Sequence, residues 1–352
     1  MDVSVELAAR IEAFLSKQPV VRSIQSASGV AVGTVKGPRP DNQDRAAGGH
    51  LSLPTGESLL FGLICDGMGG MTKGGEAASC AAATFISRIA TSSTSSVRGA
   101  VSDALAAANH EVYRRFKGAG GTTLTALVLT AGGESWVAHV GDSRLYEIGS
   151  DKALRLATRD DTIGGQLAPT GAADETLDNR LLQFVGMGQG VEPHVFRLQK
   201  SARSSFLITS DGAHSIGKRD LEGISRSSAN GAEVVRKLIY VAEAVGVEDN
   251  SSAVTISPSD FEVIRPFGTG TEVTLWSPTD KLEMWLGGTT ARENRRPADS
   301  KAVEPDESPK KKSARAKPRA EKKAAKLGEE KPATPEKPQL NIEFGSKGKD
   351  RQ

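Results

Sequence analysis

Leu59-Leu60-Phe61-Gly62-Leu63-Ile64-Cys65-Asp66-Gly67 is an apolar run that breaks off in Asp-Gly, and Phe206-Leu207-Ile208-Thr209-Ser210-Asp211-Gly212 repeats the pattern. A third carboxylate, Asp249, precedes Asn250 and the strand-like Ala253-Val254-Thr255-Ile256. Strands that end in an acidic residue, followed by one tolerant of unusual backbone angles, can aim carboxylates at one point. Carboxylates held that close cannot all stay ionised without a compensating charge, and hard divalent cations supply it. The pattern points to a polynuclear metal site at strand ends, and so to an enzyme.

Outward from these runs, residues 5–17 carry Leu7, Ile11, Phe14 and Leu15 at helical spacing, and a region of strands leads to Val35. Residues 76–89, opened by Gly74-Gly75, are rich in small side chains and read as a helix packed closely on a neighbour. Val97, Val101, Leu105, Ala108, Val112 and Phe116 mark the next helix, which residues 118–121 end. Leu124–Thr130 and Ser135–Val140, joined through Gly132-Gly133, predict a β-hairpin. Short strands follow at Arg144–Ile148, Leu154–Leu156, 195–198 and 206–209. After the Asn230-Gly231 break, 232–245 reads as a helix with Val234, Val235, Leu238, Ile239 and Ala242 on one face. The polar stretch 162–179, which contains Pro169, reads as an exposed insertion. Strands and helices without strict alternation favour an α+β fold over a doubly wound sheet.

The chain has 352 residues, 38% of them hydrophobic and 25% charged, which suits a soluble globular protein. No stretch is apolar for long enough to span a bilayer, and Met1-Asp2-Val3-Ser4-Val5-Glu6 lacks the start of a secretory signal. Cys65 and Cys80 could pair, but both sit among apolar or small residues and read as reduced core thiols, so a cytoplasmic location is expected. The net charge of +2 divides into about −5 for the body and +7 from Thr289 onward. The expected organisation is an N-terminal extension (1–28), a catalytic domain (29–258), a segment adding strands or a docking element (259–288) and a disordered basic tail (289–352). The tail reads as solvated charge rather than a nucleic-acid-binding element, and its apolar end, 340–344, as a candidate partner-binding segment.

More motifs fall into order around the two Asp-Gly turns. Arg39-Pro40-Asp41-Asn42-Gln43-Asp44 precedes the first, which reads Asp66-Gly67-Met68-Gly69-Gly70. Gly120-Gly121-Thr122-Thr123 leads into the hairpin, which ends in His139-Val140-Gly141-Asp142-Ser143-Arg144. Thr158-Arg159-Asp160-Asp161, Gly186-Met187-Gly188-Gln189-Gly190, Ser210-Asp211-Gly212 and Glu248-Asp249-Asn250 complete the series. From about Val30 to Ile256 this order resembles the metal-dependent serine/threonine phosphatases of the protein phosphatase 2C family in their compact bacterial form. The resemblance implies a β-sandwich of two antiparallel sheets flanked by helices on both sides, with metals at one end between the sheets. It implies Asp66 between two divalent cations, the Gly67 carbonyl as a further ligand, and Asp211 and Asp249 completing the first shell. Asp44 would support the second cation, and Asp142 a third and weaker one. Oxygen ligands suit Mn²⁺ or Mg²⁺, which would activate a water for attack on phosphorus. Arg39 looks like the family's phosphate-binding arginine.

The chain departs from the family in places. Gln43 stands where many members have Glu, and Met68 where many eukaryotic relatives have a proton-donating His. Met71 and Asp160-Asp161-Thr162 replace further histidines, so the leaving group must draw its proton from solvent or from a metal-bound water. Each residue also has a plainer reading: turn-forming Asp for Asp66, Asp211 and Asp249, a polar loop for Asp44, a surface arginine for Arg39, and a structural tie for Asp142. His139 reads as a hydrogen-bonded strand histidine, and His50, His110, His194 and His214 show no ligand spacing. The expected function is hydrolysis of phosphoserine and phosphothreonine in proteins, opposing a bacterial kinase, with 162–179 as the family's flap over the site. The alternatives are a regulatory pseudophosphatase that binds phosphoproteins, and an adaptor acting through the tail.

Overall fold

A computed structural model of the chain describes residues 3–17, 19, 21–27, 29–71, 73–167, 178–199, 204–258 and 270–287. The basic tail with its 340–344 motif, and most of the 162–179 insertion, lie outside the described residues. In chain order the elements are α1 (Val3–Leu15), β1 (Arg22–Ala27), β2 (Val30–Val35), β3 (Arg45–Ser52), β4 (Ser58–Cys65), α2 (Gly74–Ala90) and α3 (Val97–Phe116). Next come β5 (Leu124–Thr130), β6 (Ser135–Val140), β7 (Arg144–Ile148), β8 (Leu154–Leu156), α4 (Ile163–Leu167), β9 (His194–Arg197) and β10 (Ser205–Thr209). The series closes with α5 (Asp211–His214), α6 (Lys218–Ser227), α7 (Gly231–Val245), β11 (Ser251–Ile256), β12 (Thr271–Trp276) and β13 (Lys281–Leu286).

The strands form two antiparallel sheets, ordered β1-β2-β11-β10-β7-β8 and β13-β12-β3-β4-β5-β6-β9. Strand alternation explains why the central strands are apolar throughout. In β4, Leu60 and Ile64 face a core shared with Val32, Phe206, Ile208 and Val254, which lies between the sheets. Leu59, Phe61, Leu63 and Cys65, one residue out of step, face a second core built with α1, α2 and α3. Leu207 and Ala253 likewise turn away from the sandwich interior, towards Leu221, Val235 and Leu238 of α6 and α7. Each fully buried Leu, Ile or Phe contributes about 1.5–3 kcal/mol, so a strand buried on both faces is strongly held. The result is the expected α+β sandwich between helical layers.

Helix ends follow local chemistry. Ser96 accepts from Gly99 N at 3.1 Å to start α3. Asn230 accepts from Glu233 N at 3.0 Å to start α7, and Gly246 ends it at φ 73°. Four elements were not expected. β3 was hidden because Gly48-Gly49 weaken its strand character, yet both glycines are needed there. A Cβ on Gly48 would sit 2.5 Å from Val30 Cγ1, and one on Gly49 would sit 2.1 Å from the Thr274 carbonyl oxygen. The short helices α4, α5 and α6 lack a long apolar period. Among the described residues no helix is long and apolar enough to cross a membrane.

Because the Gly49 contact is with backbone, β12 must shift if a side chain is added. Gly49→Ala should cost about 1–3 kcal/mol in urea unfolding, while Gly133→Ser, at a φ of 86° but with open space around it, tests strain without crowding. Equal costs for the two would contradict the close-approach explanation.

Candidate active site

The strand register gathers the acidic residues at one end of the sandwich. Arg45 pairs with Cys65, Ile64 with Thr125 and Leu124 with Val140, so Asp44, Asp66 and Asp142 leave the second sheet on the same side. In the first sheet Val35 pairs with Ser251, Thr209 with Ala253, and Thr209 with Arg144, which brings Asp211 and Asp249 to that same end. The chain passes from β6 to β7 through Gly141-Asp142-Ser143 alone, stitching the sheets together there.

The loops are fixed by hydrogen bonds. Asp66 N donates to Thr123 Oγ1 at 2.9 Å and its carbonyl accepts from Thr123 N at 2.8 Å. Asn250 Oδ1 accepts from Gln43 N at 2.8 Å, while its amide donates to the Lys36 and Asp41 carbonyls at 2.7 and 3.1 Å. Gly67 and Gly74 are in close approach, since a Cβ on Gly67 would lie 2.6 Å from Gly74 carbonyl oxygen. Arg45 is the buried member that the motifs did not reveal. It donates to the Asn42 and Asp44 carbonyls at 2.9 and 2.8 Å and to Ser79 Oγ at 2.6 Å, tying the Asp44 loop to α2. Burial depresses its pKa to about 10, against the pull of Asp44.

The electrostatics of the carboxyls run the other way. Asp44 is only 2% exposed, and neither of its oxygens has a hydrogen-bond partner; the Gln43 Oε1 is likewise buried and unpartnered. The nearby Ser252 and Ser210 hydroxyls, engaged with Thr34 and with Ser252 N, only partly relieve it. Burial, with Asp211 and Asp249 adding repulsion, pushes the Asp44 pKa up to about 7. Asp66 is raised well above the carboxylate range by burial and then by Asp44, Asp211 and Asp142. Asp142 is pushed up to about 8 by burial, Asp211 and Asp160, and Asp211 is raised by burial and Asp249. Asp249 instead pairs with Arg39, whose Nη2 is 2.6 Å from its Oδ2. Among the described residues no three ligand-type side chains stand close enough to form a preassembled cation cage. The donor set nevertheless fits a hard cation: all-oxygen, short of counter-charge, with orphaned oxygens on Asp44 and Gln43.

A cleft of about 500 Å³ opens beside these residues, lined by Arg39, Arg144, His214 and Asp211 among others. His214, which showed no motif, accepts or donates through Nδ1 to Thr209 Oγ1 at 3.1 Å; burial and then Arg144 hold its pKa well below the usual value. Arg144 grips Asp160 with contacts of 2.8–3.1 Å. Burial raises the Asp161 pKa, but His194 and Gly141 N, at 2.9 and 2.8 Å, outweigh it and hold the group ionised. His139 is hydrogen-bonded, at 2.9 Å from Thr125 Oγ1 and 2.8 Å from the Arg159 carbonyl. Arg45 and His214 carry no spacing signal, because long-range pairing alone brings them to the site; Asp161 lies in the Thr158-Arg159-Asp160-Asp161 motif.

A family model described as protein phosphatase 2C matches residues 40–249. No curated protein matches the chain. Among solved structures, the Ser-Thr phosphatase MsPP from Mycobacterium smegmatis, in complex with cacodylate, is similar at a TM-score of 0.55 and 27% identity, over 67% of this chain and 99% of that one. The catalytic domain of the serine/threonine phosphatase PstP with two manganese ions gives a TM-score of 0.53 and 24% identity, over 67% and 99%. Stp1 from Staphylococcus aureus gives 0.57 and 20%, over 68% and 99%. The last two likenesses speak to the fold alone.

Carboxyls with raised folded-state pKa values hold protons more tightly when folded, so their stabilising contribution is full below about pH 4 and is lost as pH rises through the folded value. Chelator-treated protein should therefore lose stability between about pH 5 and 8, at roughly 1 kcal/mol per pH unit for each group that ionises. Asp44→Asn should flatten that slope and raise the melting temperature at about pH 8. A wild-type melting temperature that is flat or rising across this range would contradict the assignment.

Proposed function

The chain belongs to the protein phosphatase 2C family, matched by that family model over more than half of its length, and we propose that it hydrolyses phosphoserine and phosphothreonine in proteins with a water activated between two divalent cations. It is a protein serine/threonine phosphatase by family. The observation that carries the metal-dependent reading is Asp44, a fully buried carboxylate with two orphaned oxygens, set against Asp66 and Asp211, whose burial also calls for positive charge.

Asp66, with the Gly67 carbonyl, Asp211 and Asp249, would hold the cations, with Asp44 supporting the second and Asp142 a third. Mn²⁺ or Mg²⁺ bound there would supply Lewis-acid activation of the attacking water and counter-charge for the transferred phosphoryl group. The rest falls to the chain's own residues. Arg39, 44% exposed at its side chain, presents a planar fork that now holds Asp249 Oδ2 and the Glu248 carbonyl, and phosphate oxygens suit the same donors. Thr123 keeps the Asp66 backbone from drifting, and Asn250 ties the Asp249 turn to the Gln43 loop. Met68 has no proton to give. His214 is held neutral and can donate a hydrogen bond without serving as an acid, so solvent supplies the leaving-group proton.

The substrates would be proteins phosphorylated by a Ser/Thr kinase. Cys65 and Cys80 are both free and buried, which fits a reducing, cytoplasmic compartment. Residues 29–258 would form the catalytic domain, and the tail a candidate partner-binding element. The intact acidic set favours an enzyme over a regulatory pseudophosphatase.

Full-length protein with Mn²⁺ should turn over a phosphothreonine peptide, and Asp211→Asn should reduce kcat by about a hundredfold or more. Arg39→Ala should act mainly on KM, by about tenfold. Turnover no higher than that of Asp211→Asn would sink the enzyme reading.

A further inference from the structure

The passage from β6 to β7 that carries Asp142 is braced at both ends by residues outside the acidic centre, and two histidines stand behind those braces. His139 of β6 and His194 of β9 are register partners, and their rings stack with centroids 5.9 Å apart at 28°. We propose that His194 is a positioning residue for Asp142: through Asp161 it fixes the Gly141 backbone, and with it the carboxylate that would hold the third cation. This role rests on the metal-dependent reading proposed above.

The contacts are few and mostly buried. His194 Nε2 lies 2.9 Å from Asp161 Oδ1, and Asp161 Oδ2 accepts from Gly141 N at 2.8 Å. Asp161 N donates to the Gly141 carbonyl at 2.8 Å, so both polar backbone groups of Gly141 are tied to one residue. The Asp161 carbonyl takes Leu182 N at 2.7 Å, and Asp161 is only 2% exposed. The Gly141 carbonyl lies in the peptide plane shared with Asp142, so holding it fixes the direction in which Asp142 leaves the strand end. A carboxylate that does this while buried needs positive charge beside it, and a protonated His194 provides that by direct contact.

At the other end of the bridge, Thr125 Oγ1 lies 2.9 Å from both the Ser143 carbonyl and His139 Nδ1. The two histidines differ in what they can do. His139 is buried, and that burial above all holds its pKa below the usual value. His194 is 45% exposed at its side chain. Its pKa is raised, first by the Asp161 hydrogen bond and then, against burial, by the charges of Asp161 and Glu192. Asp161, Glu192 and His139 are the titratable groups that act on it. Gln183, whose Nε2 is 3.3 Å from the ring, is neutral, and Val195, the next residue of β9, points to the opposite face, into the core built with α3. Nε2 donates to Asp161 whether the ring is charged or neutral. Loss of the Nδ1 proton as pH rises therefore weakens a charge-assisted bond to an ordinary one without breaking it.

Isotope-labelled full-length protein titrated with Mg²⁺ reads the bridge without turnover, through the Gly141 and Asp142 amide resonances. His194→Ala should lower the exchange protection of the Gly141 amide by about tenfold and weaken the Mg²⁺ response at Asp142 by about as much, with Gly67 and Gly212 within about twofold of wild type. His194→Gln keeps a donor that cannot titrate. It should restore most of the protection and remove the loss that wild type shows as pH rises through the His194 titration, followed on the same sample by its ring resonances. Arg197→Ala, on the same strand but paired with exposed Glu134, should match wild type throughout. If His194→Ala fails to fold, the pH profile of His194→Gln decides alone. The proposal is overturned by a wild-type Asp142 without a Mg²⁺ response, by His194→Ala matching wild type or Arg197→Ala, or by a pH dependence that persists in His194→Gln. The expected responses without turnover of a phosphothreonine peptide would count against the phosphatase reading alone.

Discussion

Taking Asp44, Asp66, Asp142 and Asp211 out of water at one end of the sandwich sets the terms for everything around them. Each carboxyl is raised by burial and by its neighbours, so the folded chain favours protons or cations there over bare negative charge. The chain brings arginines of its own to this end, Arg39 on Asp249, Arg45 behind Asp44 and Arg144 near Asp142, but Arg39 and Arg45 are also taken by backbone carbonyls and Arg144 by Asp160. None of the three donates to Asp44, whose two oxygens stay without a partner. The sandwich tolerates the strain because its three hydrophobic layers are large and continuous around it.

Much of this was legible in the sequence because the strands that carry the acids are buried on both faces. Double burial makes them unbroken apolar runs, and the abrupt change to Asp-Gly marks the point where each one leaves the sheet. The hairpin Leu124–Thr130 to Ser135–Val140 was equally plain, since its turn and alternation are local. β3 was not, because its Gly48 and Gly49 are there for contacts with Val30 and Thr274, residues distant in sequence. Arg45 and His214 were missed for the same reason, and Asp161, though inside a quoted motif, showed no sign of its clamp on Gly141 N. Nothing within a few residues of them distinguishes a site arginine or histidine from a surface one, and only strand register decides.

Register also explains why Asp249 and Asp211 behave differently although both sit beside β11 at the same end. Asp211 opens α5, with its carboxylate turned to its own Gly212 N, and remains deep. Asp249 lies further out, where Arg39 can reach it. Under the proposed reading, a cation that drew Asp249 away would leave the Arg39 fork free to take phosphate oxygens.

The passage from β6 to β7 carries a mechanical implication. Three residues, Gly141, Asp142 and Ser143, bridge the two sheets, with Gly141 at φ 109° and so close to Thr123 that a Cβ would meet its Cγ2 at 2.6 Å. Asp161 clamps this bridge through Gly141 N, and Ser143 Oγ ties it to Thr123 at 2.8 Å. The bridge therefore acts as a hinge pin. Any sliding of one sheet over the other must drag Asp142 with it, so the alignment of the acidic centre is a gauge of whether the two halves of the sandwich are in register.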